Sequence, residues 1–327
     1  MYLSEYSHAS GAHCGSASLR NLATYYGWGL NESLCFGLGS GLGFGYYDRG
    51  PASRVIMGRN GRLETEFFET LGIDYREVSG QAWETAWNDV RARIADETPV
   101  VLFVDLFYLD YFETNTHFGP HVLLCVGTDD DEVLLSDSEF DSVQRLPTAR
   151  LRGAWSSEYG FAPLDNRWLV VADPTVENDL ATASKRAIRR AAEHMLSPAD
   201  GQWKSEGVDG IRRFAADLPT WTALEDASWC ARFAYQNIER RGTGGGAFRR
   251  LYADFLDQVA PDVGLGEELP DRLHDIADEW TELSGTLKDA SEAEGRRQER
   301  LLEQAGDEAM ALADREERFF VELEKVS

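Results

Sequence analysis

Apolar residues recur at helical spacing over residues 14–27 and stop at Gly27, which predicts one helix with a glycine close. A second, short helix follows, capped by Asn31 with Glu32 in its first turn. Residues 64–71 and 82–95 again have helical spacing. The run Pro99-Val-Val-Leu-Phe-Val104 reads as a buried strand, residues 121–126 and 132–135 as two strands around the turn 128–131, and residues 168–171 as a last strand. Beyond residue 182 the pattern is almost wholly helical, over 185–195, 210–217, 224–241, 247–259, 269–287 and 291–323. The switch near Asp173-Pro174 divides an α+β domain, residues 1–175, from an all-α companion domain, residues 176–327.

Between the second helix and the first strand signals, glycine alternates through Gly37, Gly39, Gly41, Gly43 and Gly45. An extended segment here would show bare backbone on one side and Leu38, Leu42 and Phe44 on the other. Its third glycine is out of register for a dinucleotide fingerprint, and the run follows a helix where that motif must follow a strand. It reads as a surface for close packing, either a substrate-cleft lining through Gly39, Gly41, Gly43 and Phe44 or a structural loop.

Composition narrows the class. With 43% hydrophobic and 11% aromatic residues the chain has the makings of a folded core. Residues 1–11 carry neither a basic cluster nor an apolar run, and the aliphatic stretch 100–104 ends at Asp105. A cytoplasmic protein without a membrane span is expected. The four cysteines, Cys14, Cys35, Cys125 and Cys230, are widely spaced with no C-x-x-C pair, which suits free thiols and speaks against a structural zinc site.

One of those thiols stands out. His13-Cys14-Gly15-Ser16 opens the first helix, where unpaired N–H groups and the helix dipole favour an anion. A cysteine nucleophile needs a base, and the base needs an orienting partner. If the hairpin turn is centred on Asp129, His121 and Asp137 face each other across two strands. His117 is the alternative base, facing Asp141 by the same register, with Gly119 and Pro120 interrupting the strand ahead of it. The Cys14 N–H is the first candidate oxyanion donor, and His8 and His13 are candidates for the second or for an auxiliary role. His117-Phe-Gly-Pro-His121 lacks the helical spacing and glutamate of a zinc protease motif, so no metal is expected.

The order of cysteine at a helix start, histidine opening a strand and aspartate ending the next resembles the papain-like cysteine-enzyme fold, a helix packed on an antiparallel sheet. More specifically, His13-Cys14-Gly15-Ser16, Leu19-Arg20-Asn21-Leu22, Gly27, Glu32, the run Phe36 to Phe44 and His117-Phe-Gly-Pro-His121 resemble the butirosin biosynthesis protein H amino-terminal-domain family over about residues 8–150. The rest of the chain, including Gly242 to Gly246, is similar to that family's helical companion domain. The resemblance implies an acyltransferase in specialised metabolism. Cys14 would take an acyl group from a carrier-protein or other acyl thioester, with His121 as base and Asp137 as orienter, and pass it to a small amine substrate. No cofactor is implied beyond a donor that is phosphopantetheine-linked. A cysteine peptidase or amide hydrolase using the same residues, and a non-catalytic binding protein, are the alternatives.

Gly244 and Gly245, with Arg249 and Arg250 opening the next helix, form either an anion nest for a phosphate or carboxylate or a solvated loop. Leu301, Ala305, Ala309, Leu312, Phe319 and Leu323 give the last helix an apolar face for intramolecular packing or a homodimer contact. The net charge is −25, and the 32 basic residues include only four lysines. Nucleic acid is an unsuitable partner for such a surface. An acidic, lysine-poor surface suits concentrated salt, where screening removes self-repulsion, so halophilic adaptation is expected. Solubility and melting temperature should rise steeply from low to molar salt in a thermal-shift series; indifference to salt would count against the halophilic reading.

Overall fold

The computed structural model describes residues 1–48, 50–129, 131–159, 162–197, 207–266 and 268–325. In chain order the elements begin with α1 (Cys14–Tyr26), α2 (Glu32–Leu38), β1 (Leu42–Tyr47), β2 (Val55–Arg59) and α3 (Leu63–Leu71). They continue with β3 (Asp74–Val78), α4 (Trp83–Ala95), β4 (Val100–Val104), β5 (His121–Asp129), β6 (Glu132–Ser136), β7 (Gln144–Pro147), α5 (Thr148–Trp155) and β8 (Trp168–Asp173). Helices α6 (Leu180–Leu196), α7 (Gly207–Asp217), α8 (Ala227–Glu239), α9 (Arg249–Val263), α10 (Glu268–Ser291) and α11 (Gly295–Leu323) complete the chain. The architecture is α+β, with antiparallel sheets and a helical C-terminal region. Among the described residues no helix is long and apolar enough to cross a membrane.

The chain forms two units, one of Met1–Cys35 and Gly72–Glu177, the other of Phe36–Leu71 and Asn178–Ser327. The change from sheet to helices near residue 175 is present, and residues 36–71 belong with the helices.

In the first unit six antiparallel strands lie in the order β3-β8-β4-β5-β6-β7. β4 is flanked on both sides by strands and all five of its residues are buried, which is why it reads as an unbroken apolar run. β3 and β7 form the edges. Their residues are mostly exposed or half-buried, so they carry no periodic signal and sequence patterning misses them. Helix α1 packs on β5, where Ser18 Oγ donates to the Val122 carbonyl at 3.4 Å. It ends where Gly27 adopts a left-handed φ of 73° and returns its N–H to the last turn, a glycine-closed C-terminus.

In the second unit β1 and β2 pair as an antiparallel ribbon packed with α3 and α6 to α11. The predicted extended run over 37–45 is corrected: α2 continues to Leu38, the chain turns through Ser40, and extension begins at Leu42. The glycines serve close packing. A Cβ on Gly41 would lie 2.6 Å from the Phe36 ring, and one on Gly43 would lie 2.8 Å from the Asn60 nitrogen. Phe44 is wholly buried, its ring centroid 5.6 Å from that of Trp280. Gly39, Gly41, Gly43 and Phe44 are all buried inside this unit, which removes the ground for assigning them to a substrate cleft.

Arg249 decides the fate of the predicted anion nest. Its guanidinium has no exposed surface and binds Glu316 with two bonds of 2.8 and 2.9 Å. It also donates to the carbonyls of Gly58 and Ala247, and Trp280 Nε1 donates to the same carboxylate. Arg250 pairs with Asp278 and donates to Thr281. The Arg249 donors that an anion would need are thus committed within the fold, and Arg250 already faces a carboxylate. The loop is built by its own polar contacts: Gly245 N donates to Thr243 Oγ1 and Gly246 N to Glu239. The face of α11 is buried in the same unit against α7 and α10, through Leu302 and not Leu301, together with Ala305, Ala309, Leu312, Phe319 and Leu323. Removing one side of a buried ion pair leaves an uncompensated charge, so Arg249→Met should destabilise this unit by about 3–5 kcal/mol in chemical denaturation.

Candidate active site

Cys14 is the first residue of α1, and its position follows from local chemistry. His13 is extended (φ −131°, ψ 131°) and its Nδ1 accepts from the Ser16 N–H at 3.2 Å, capping the helix. Glu32 supports the same turn. Its carboxylate accepts from the N–H groups of Ala12 (3.1 Å) and His13 (2.8 Å) and from Ser16 Oγ (3.2 Å). Gly11 lets that carboxylate approach, because a Cβ there would stand 2.6 Å from Glu32 Oε2 and 2.5 Å from the Ala17 Cβ. The sequence pattern places Glu32 in the first turn of α2 and among the residues of the family resemblance; its reach back to the Cys14 turn is a contact of the fold.

His121 opens β5 and is paired in register with Val104 of β4. Its Nε2 lies 2.9 Å from Asp137 Oδ2, which follows the end of β6. Asp137 also accepts from Tyr111 Oη at 3.1 Å and from the Glu139 N–H at 3.2 Å, so both oxygens are engaged. The predicted pair therefore forms, although not by the predicted register. The hairpin begins with Asp129 opposite Glu132, and Asp130 of the expected turn lies outside the described residues. Between Cys125 and Gly127 the register shifts by one residue, after which Leu124 faces Ser136. Each single step reverses the faces of a strand. Without this bulge Asp137 would project opposite to His121; with it they are diagonal neighbours on one face.

The imidazoles of His121 and His13 lie beside the Cys14 thiol and act on its ionisation. With Nε2 on Asp137, the nitrogen that His121 presents to sulfur is Nδ1. Burial pushes the Cys14 thiol up, but the electrostatic influence of His13 and His121 and the polar contacts of the two rings outweigh it and hold the thiol well below its ordinary value. For His121, burial opposes the charged form; the Asp137 charge and hydrogen bond, with the Cys14 contact, overcome it and raise the ring from 6.5 to about 10. Asp137 is lowered, its burial outweighed by the same contacts. The other cysteines behave oppositely. Burial pushes Cys125 up to about 12 and Cys230 up to about 11, and Cys35 is raised as well.

The remaining sequence candidates are placed elsewhere. His8 lies between Ser136 Oγ and the Phe140 carbonyl, each 2.7 Å away. A carbonyl can only accept, so Nε2–H donates to Phe140 and Nδ1 accepts from Ser136. Both nitrogens are used, which leaves His8 no donor for an oxyanion. Instead it braces the segment that carries Asp137, together with Tyr6, which donates to Ser136 Oγ at 2.6 Å. His13 stays beside the thiol. His117 is not opposite Asp141, which accepts from Ser10; its Nδ1 lies 2.7 Å from Asp105. One exposed group in the second unit, Asp254, Asp257 and His274, brings potential ligand atoms within 4.8 Å of one another, and His274 Nε2 lies 3.1 Å from Asp257.

Two tests follow from the thiol and its partners. Alkylation by iodoacetamide should stay fast well below pH 9 in the native protein and be confined to Cys14, since the other thiols are raised. In His121→Ala the pH–rate profile should move up toward that of an ordinary thiol. The sign for His121 is the reverse of that for the thiol. Its proton is held in the folded state from about 6.5 up to about 10. The stability this contributes is complete below pH 6.5 and is lost as pH rises through about 10. Asp137→Asn should bring that upper limb down, read by denaturation across pH.

Residues 13–138 match the family described as butirosin biosynthesis protein H, N-terminal, and residues 149–323 match the domain of unknown function DUF4872. No match to a curated protein was found for the chain. The thiol, its histidine and its aspartate all fall within the first of these ranges. The chain belongs to the DUF4872 family by the match that covers more than half of it, and it carries a butirosin biosynthesis protein H, N-terminal, domain ahead of that match.

Proposed function

We propose that this protein is an acyltransferase in which Cys14 carries the acyl group, His121 moves the proton and Asp137 orients His121. The observation that carries this reading is the thiol at the start of α1 beside His121, a histidine whose Nε2 is fixed on a buried aspartate. The match to a biosynthetic enzyme family supports it. So does the order of helix-start cysteine, strand-start histidine and following aspartate, on which a papain-like assignment of the first unit rests.

In the resting state the sulfur is anionic and His121 is protonated. The thiolate attacks the carbonyl carbon of a thioester, and the charge gathering on the carbonyl oxygen meets the positive end of α1, where the Cys14 N–H lies. Collapse breaks the donor C–S bond. The donor leaves as a thiol with the proton from His121, and an acyl-cysteine and a neutral His121 remain. Thioester exchange is nearly balanced in energy, so the acyl-enzyme stays reactive. An amine then attacks the same carbon, Cys14 leaves as thiolate and His121 takes a proton from the nitrogen, which restores the resting pair. The donor class is an acyl thioester, pantetheine-linked when a carrier protein delivers it, and the acceptor is a small amine.

Intact-mass spectrometry after incubation with an acyl N-acetylcysteamine thioester tests the reading. A mass gain of one acyl group is expected, absent in Cys14→Ala and formed about 10²–10⁴-fold more slowly in His121→Ala. Adduct decay that needs an added amine marks a transferase, and decay in water alone marks a hydrolase. No adduct from any thioester would overturn the reading.

A further inference from the structure

The carboxylate that orients His121 is shared. His121 Nε2, at 2.9 Å, and the Tyr111 phenol, at 3.1 Å, both reach Oδ2 of Asp137, while Oδ1 takes the Glu139 N–H at 3.2 Å. Asp137 has no exposed surface, so water does not relieve this competition. The phenol is a standing donor, because burial, then the Asp137 charge and hydrogen bond, raise Tyr111 well above its ordinary value of 10.

The segment that carries Tyr111 is fixed by contacts of its own. It starts at Asp105, directly after β4, a wholly buried carboxylate whose Oδ1 accepts the N–H groups of Phe107 (3.1 Å) and Phe118 (3.0 Å). The Leu106 N–H donates to the Phe118 carbonyl at 3.0 Å, so both ends of residues 106–118 are tied at one neck. Arg150 of α5 pairs with Asp110 at 2.6 Å and donates to the Phe107 carbonyl at 3.4 Å. Tyr111 meets Phe140 edge-on, 5.1 Å between centroids. Phe112 meets Phe140 (5.1 Å) and the His121 ring (5.5 Å) in the same manner.

Acylation changes what His121 must do. Before it, the imidazolium is a proton donor to the leaving thiol. After it, the sulfur is part of a neutral thioester, and the ring must be neutral to take a proton from the amine. Burial disfavours the imidazolium, the Asp137 charge and hydrogen bond favour it, and Cys14 adds to them. With the thiolate gone, Asp137 is what keeps the proton on the ring. A second donor on the same oxygen spreads the carboxylate charge over two bonds and weakens that hold. The titratable groups facing His121 are Asp137 and Cys14; Tyr111 faces Asp137, and His13 lies beside the sulfur.

We propose that Tyr111 is a positioning residue that acts through Asp137 to lower the basicity of His121 in the acyl-enzyme, so that the ring is neutral when the amine arrives; this rests on the acyl-transfer reading above. The attacking nitrogen then gives its proton to Nδ1, the acyl carbon–sulfur bond breaks, and Cys14 leaves as thiolate.

Tyr111→Phe tests this, since it removes the phenolic oxygen and keeps the ring that packs on Phe140. In a Cys14→Ala background, which like the acyl-enzyme lacks the thiolate, the His121 imidazole is titrated by NMR, its signal identified by its loss in His121→Asn. Its midpoint should rise by about one pH unit on Tyr111→Phe. With Cys14 intact and acylated by the acyl N-acetylcysteamine thioester, transfer to hydroxylamine, an amine unprotonated at neutral pH, should show its acid limb moved up equally. The rate below the limb falls about tenfold, and the alkaline plateau is kept. An unmoved or lowered midpoint overturns the proposal, as does a raised midpoint with an unmoved acid limb. Should Tyr111→Phe fail to fold, 3-fluorotyrosine at position 111, a stronger donor, takes its place: the midpoint should then fall, and a rise or no change overturns the proposal. Absence of an adduct in the native protein removes the acyl-transfer reading, whereas the titration needs no adduct and decides by itself what Tyr111 does to His121.

Discussion

A thiol drawn toward its charged form by two neighbouring histidines is the constraint around which the first unit is organised. Burial alone makes a thiol harder to ionise, as Cys35, Cys125 and Cys230 show. Cys14 departs from them because two histidines reach its sulfur, one of them fixed by a carboxylate. Those charges stabilise one another only while they stay in place. Asp137 is accordingly held by three donors, and the helix start by Glu32. Ser136, next to Asp137, is itself tied to Tyr6, His8 and Asn21. The polar groups around the site are therefore connected to one another, which is what a preorganised electrostatic site requires.

What could be read from the sequence was mostly local. The helix start and the Gly27 close depend on neighbours within a few residues, so Cys14 was visible at once. Strand β4 was visible because a strand buried on both faces is apolar throughout. The pairing of His121 with Asp137 was legible as a face, while its route was not: the turn is displaced, and the bulge between Cys125 and Gly127 compensates in parity. No residue there announces a bulge.

Partners chosen by the fold stayed hidden. His117 meets Asp105 because β4 and β5 are adjacent, and spacing within the hairpin pointed to Asp141 instead. Arg249 looked like a free cation beside glycines, but its carboxylate lies 67 residues away on the last helix. The alternating glycines suggested a surface for close packing, either a cleft lining or a structural loop; what packs there is Phe36 and the backbone of the neighbouring strand. In each case the deciding contact is made by the folded chain and leaves no periodicity behind.

The strand order has a consequence for how such a chain can be inherited. β8 lies between β3 and β4 in the six-stranded sheet, yet its residues fall within the span of the DUF4872 match. Conversely, β1 and β2 fall within the butirosin-type span but belong to the helical unit. The two families thus exchange pieces of backbone. A recombination event at the junction between them would hand each descendant a sheet or a bundle missing a member, so the pair should travel through genomes as one gene segment and not as two interchangeable modules.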